Sequence, residues 1–131
     1  MGGVVRTVAA MATAGMLVLA PAVAARVNAL ARTSGGLWEL SGVPGASAPQ
    51  RLCIADPVLL AQFEHRRTSC PHVVIRDEGD SAEIHYSCPV GGFGRTTITV
   101  LTPRSLRIET QGISGNAPFN YVLQARRISD C

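Results

Sequence analysis

The sequence predicts a mostly-β fold: an antiparallel meander curled into a partial barrel or small sandwich, with one short helix inserted after the second strand. Three observations carry this. Beyond residue 71 the chain offers five short extended runs, apolar-polar alternation of period two being clearest in 82–88 and 105–112, and turn signals separate them. Only one stretch, 56–67, carries both a helical start signal and an apolar stripe. Four cysteines in a chain of 131 residues read as covalent staples for a small core. Short strands joined by tight turns build meanders, and their apolar face has to be covered. A ferredoxin-like α+β sheet needs a second helix, which the chain does not offer.

The elements follow in order. Residues 35–45, GGLWELSGVPG, read as a strand opened by glycines and closed by Pro44-Gly45, and RLCIA, 51–55, as a second short extended run. In DPVLLAQFEHRR, 56–67, Asp56 is placed to cap a helix and Pro57 fits its first position. Arg66 and Arg67 suit the negative end of its dipole. Val58, Leu59 and Phe63 form the apolar stripe expected to face the sheet. HVVIRDE runs to the turn EGDS. AEIHYSC then puts Ala82, Ile84, Tyr86 and Cys88 on one face, and the glycine-rich PVGGFG reads as a connection. RTTITVLT is β-branched and stops at Pro103. SLRIETQG places Leu106 and Ile108 inward, and after the turn GNAP the run FNYVLQARRI aligns Phe119, Tyr121, Leu123 and Ala125. The expected core, or the lining of a ligand cavity, is therefore Trp38, Phe63, Ile84, Tyr86, Leu106, Ile108, Phe119 and Tyr121.

Residues 1–24 have the layout of a secretory signal peptide: Arg6, an uncharged apolar run from Val8 to Ala20, Pro21, then Ala22-Val23-Ala24. The apolar run is interrupted too early for a membrane anchor of about 20 residues. Cleavage after Ala24 leaves 25–34 as a short tether and 35–131 as the domain, with no stable membrane anchor. The expected location is the periplasm or the medium. The cleaved chain has eleven arginines, no lysine and nine acids, and aromatics are 5% of the sequence. Such scattered charge excludes a nucleic-acid surface.

An even number of cysteines in an exported chain implies two disulfides among Cys53, Cys70, Cys88 and Cys131. Of three connectivities, Cys53–Cys70 with Cys88–Cys131 is preferred: the first would bracket the helix, the second would staple the last strand. Zinc is the sharper alternative, with Cys70, His72, His85 and Cys88 as ligands, but His85 and Cys88 fall on opposite faces of a regular strand. No G-x-S-x-G, H-E-x-x-H or phosphate-binding loop occurs. Asp77, Glu78 and Asp80 read as a solvated hairpin tip without the ligand spacing of a calcium loop.

The layout resembles a group of small exported bacterial proteins, domain-of-unknown-function family 3617. The features that carry this are GGLWEL, the step from Cys53 to Pro57 in RLCIADPVL, one cysteine after the helix, YSC on a strand and the ending ARRISDC. The chain departs in having Ser129 where that family usually has glycine, and in a shorter stretch before the first cysteine. The resemblance implies export, four cysteines and a β-rich domain, and no activity or catalytic residues. No cofactor is implied either. The expected role is non-enzymatic binding of a small apolar ligand or a protein partner. An envelope structural or stress protein without a cavity is the alternative, and a zinc-binding or hydrolytic protein the third reading.

Overall fold

The computed structural model describes residues 2–3, 15–20 and 26–131. The expected signal segment therefore falls largely outside the described residues, its cleavage point after Ala24 included. The strands are β1 Gly36–Ser41, β2 Gln50–Ile54, β3 His72–Glu78, β4 Ser81–Ser87, β5 Phe93–Thr102, β6 Ser105–Ser114 and β7 Ala117–Ser129. A 3-10 turn, Asn28–Leu30, precedes β1, and a 3-10 helix, Pro57–His65, follows β2. All strands lie in one antiparallel sheet, in the order β2-β1-β7-β6-β5-β4-β3.

The mostly-β meander with one helix is thus the architecture, and it is a single open sheet, neither a sandwich nor a closed barrel. Strands β3 to β7 follow one another as expected. The first hairpin joins not β3 but the free side of β7, so β2 and β3 become the two edges. The segment carrying the 3-10 helix has to cross the inner face from one edge to the other. It contacts β2, β5 and β6 on the way, and supplies the cover that the apolar face needs.

Asp56 caps this helix as expected, its Oδ1 accepting from the Val58 amide at 3.0 Å, and Pro57 takes the first position. The expected stripe is not the buried one. In a 3-10 helix side chains three apart eclipse, so Pro57, Leu60 and Phe63 turn inward, while Val58 is only half-buried and Leu59 is 45% exposed. The backbone leaves helical geometry at Gln62 (φ −107°, ψ 33°), which brings Ala61 and Gln62 under the surface as well. A buried hydroxyl ties helix to sheet: Thr96 Oγ1 donates to the Ala61 carbonyl at 2.5 Å and pairs with Thr110 Oγ1 at 2.8 Å.

The stretch expected as a tether is docked. Val27, Ala29 and Leu30 are buried in the main core, and the turn they form packs on β3, β4 and β5. Asp77 holds it there: its two carboxylate oxygens accept from the amides of Asn28 at 2.6 Å and Ala29 at 2.8 Å. That side chain was expected in a solvated turn. The pairing of Asp77 with Ala82 directs it to the inner face, toward the unpaired amides that open the 3-10 turn.

The disulfides connect Cys53 to Cys131 and Cys70 to Cys88, not the pairs the spacing favoured. Strand order is the reason. Cys88 follows β4 and Cys131 follows β7, and β5 and β6 lie between those strands. Three strand spacings are roughly 14 Å, about twice what a disulfide spans between Cα atoms. On β1, by contrast, Leu37 pairs with Cys53 on one side and Ser129 on the other, so the chain end crosses one strand to reach Cys53 at a Cα separation of 5.8 Å. Cys70 meets Cys88 at 4.5 Å because Ser87 donates its amide to the Pro71 carbonyl there.

Candidate functional site

Of the two roles expected for the inward-facing residues, core or cavity lining, most of them take the first. Trp38, Leu106 and Ile108 are fully buried, and Ile84, Tyr86 and Phe63 nearly so. Phe119 and Tyr121 are half-buried at the end of the sheet where the 3-10 helix finishes. There His65 Nδ1 lies 2.9 Å from the Tyr86 hydroxyl, and Tyr121 donates to Glu64 Oε2 at 2.7 Å. The His65 ring stands edge-on to both Tyr86 and Phe119. Burial pushes the Tyr86 hydroxyl up to about 12, with the Glu64 charge adding to it. Burial raises Tyr121 as well, reinforced by its bond to Glu64. Phenols held protonated in this way are hydrogen-bond donors, not bases. The cluster clasps the end of the helix to the sheet.

The same end of the sheet is hollow on its outer face. Tyr86, Gly94, Gly112 and Phe119 form one row across four strands. On the inner face the Tyr86 ring covers Gly94, where an added Cβ would lie 2.5 Å from ring atoms. The Phe119 ring comes within 2.9 Å of the same position on Gly112. Neither site has room for a side chain. The flanking rows point outward. One is Ser87, Phe93, Ile113 and Pro118; the other is His85, Arg95, Gln111 and Asn120. Between them, over the glycine pair, lies a groove of about 600 Å3 with an apolar wall and a polar one. Phe93 is 53% exposed in that wall.

The polar wall is held rigid from below. Glu83 is buried to 5% exposure on the same face and meets Arg95 Nε at 2.8 Å, His85 Nε2 at 3.0 Å and Arg76 at 3.1 Å. The hydrogen bond from Arg95 holds the Glu83 carboxyl below the usual carboxylate range, against the opposing effect of burial, and His85 and Arg76 add to it. One carboxylate shared by two arginines leaves the wall with positive charge. Its Arg95 guanidinium keeps donors free beside the groove.

No family model, curated protein or solved structure matches the chain. The groove therefore stands on its own chemistry. Of its residues, the sequence points to Tyr86 and Phe119 for an apolar ligand, both on the inner face, and to His85 only as a candidate zinc ligand. A signal for the rest was present: glycine inside a strand pattern, in FGRTTITV and in RIETQGIS, marks a close approach of other groups. GGFG was instead expected as a connection, whereas Phe93 and Gly94 open β5. His72 and His85 are not drawn into a metal site with cysteines, because Cys70 and Cys88 are bonded to each other.

Proposed function

We propose that this is an exported, non-enzymatic binding protein that takes a small apolar ligand in the outer groove over Gly94 and Gly112. One observation carries the reading: the groove has the volume of a small-molecule site, apolar side chains on one wall and fixed polar groups on the other. Phe93, Ile113 and Pro118 would cover the apolar body of the ligand. Arg95, Gln111 and Asn120 would take its polar end. The two disulfides and the four-cysteine layout support export. The packed interior argues against a ligand inside the sheet.

The test uses an anilinonaphthalene sulfonate dye as an apolar probe with a polar end. Phe93→Ser should weaken dye binding about tenfold with little change in melting temperature, since the side chain is half exposed. Leu106→Ala, in the packed interior, should lower stability by about 2–5 kcal/mol and leave dye affinity of the folded protein unchanged. Loss of affinity in Leu106→Ala with none in Phe93→Ser would place the ligand inside the sheet and overturn the reading.

A further inference from the structure

The two walls of the groove over Gly94 and Gly112 differ in charge as well as in polarity. The register sets His85, Arg95, Gln111 and Asn120 in one row from β4 to β7, so the four side chains leave the same face of the sheet. None of the residues lining the groove is acidic. The acids that follow on that face are already engaged. Glu109, two residues before Gln111 on β6, pairs with Arg107 at 2.8 Å. Glu83, two residues before His85 on β4, is the buried carboxylate that Arg95, His85 and Arg76 share.

His85 aside, one carboxylate there meets two guanidiniums, so this corner of the sheet holds one positive charge in excess. Of the two arginines, Arg95 is the one that lines the groove. Its side chain is 53% exposed and meets Glu83 through Nε. The edge formed by its two terminal nitrogens is thereby left to donate to a ligand. Gln111 and Asn120, next in the row, each add an amide that can donate beside it.

We infer that the ligand of this groove is an apolar monocarboxylate, whose hydrocarbon body lies along Phe93, Ile113 and Pro118 and whose carboxylate meets Arg95. The inference rests on the reading of the groove as a ligand site, and adds the charge of the ligand to it. One excess positive charge matches one negative charge. A planar carboxylate fits the two-pronged edge of a guanidinium. A doubly charged phosphate ester would keep one charge uncompensated beside an apolar wall.

Isothermal titration calorimetry at neutral pH and constant ionic strength compares octanoate with octanol, which share a chain and differ in the charge of the end group. Octanoate should bind about tenfold tighter, the size of effect a charge-assisted hydrogen bond supplies. Arg95→Gln should abolish that preference and leave octanol affinity unchanged, while Arg67→Gln, on an exposed arginine elsewhere, keeps the preference intact. Because Arg95 also serves Glu83, Arg95→Lys provides a second variant: it keeps a charge for Glu83, loses the fork, and should bind octanoate more weakly than the wild type does. Equal affinity for octanoate and octanol in the wild type, or an equal loss in Arg67→Gln, would overturn the inference and leave the groove as a site for a neutral ligand. Binding of neither probe, together with no effect of Phe93→Ser on the dye, would remove the groove itself as a site, and the inference with it.

Discussion

Serine substitution of the four cysteines, singly and in pairs, tests the strand order as well as the covalent map. Loop closure in the unfolded chain gives the expected size of the effects. The bridge Cys53–Cys131 closes 78 residues and Cys70–Cys88 closes 18. In the chain-entropy model these correspond to about 4.5 and about 3 kcal/mol. Against a net stability of about 5–15 kcal/mol for an ordinary domain, each loss is large. Urea unfolding monitored by Trp38 fluorescence should show Cys53→Ser and Cys131→Ser destabilised by similar amounts, and the pair by little more, since both remove one bond. Cys131→Ser with Cys88→Ser should instead lose two bonds and approach the sum. The map can also be read chemically. A protease that cleaves after arginine leaves each cysteine in a different peptide: 52–66, 68–76, 77–95 and 128–131. Under non-reducing conditions 52–66 should be joined to 128–131, and 68–76 to 77–95. A linked 77–95 with 128–131 would mean that the ends of β4 and β7 are neighbours, and would refute the strand order.

Two further outcomes follow from the buried polar groups. Thr96→Val removes both bonds of the central hydroxyl and strands the Ala61 carbonyl and the Thr110 hydroxyl, so chemical denaturation should show a loss of about 2–4 kcal/mol; Thr110→Val, which leaves the bond to Ala61 intact, should cost clearly less, and equal losses would remove the tie from the argument. Tyr86 and Tyr121 are the only tyrosines, so tyrosinate absorbance reports on them alone. Their raised folded values mean that the unfolded chain ionises first, so stability should be intact below pH 10 and fall as the pH rises through 10 toward about 12. A tyrosinate signal at pH 10 from folded protein would contradict the clasp.

Much of the candidate groove was legible only in fragments. Period-two alternation places His85 opposite Ile84 and Tyr86, and β4 keeps that assignment; Arg95 joins His85 only through the register of β4 with β5. What alternation cannot show is depth. Gly94 and Gly112 are far apart in the chain, and their meaning appears only when the register sets them side by side under two aromatic rings. The same limit applies to the 3-10 helix. Its cap and first proline are local and readable in the sequence, but its buried side depends on the helical period: Phe63 lies inward as expected, whereas the 3-10 period turns Leu60 inward in place of Val58 and Leu59.

By itself the sequence determined what short-range physics controls: the number of the strands, their inward faces, most of the turns between them, the capped start of the helix and the need for two disulfides. The tertiary structure alone decided which elements lie beside which. Docking the first hairpin against β7 sent the helix across the inner face, set β2 and β3 at the edges, and made Cys53 the neighbour of Cys131. It also turned Val27, Ala29 and Leu30 into core. Alternation says which way a side chain points from its own strand. Which strand stands next to it depends on how the whole apolar face is most completely covered, and no local pattern encodes that.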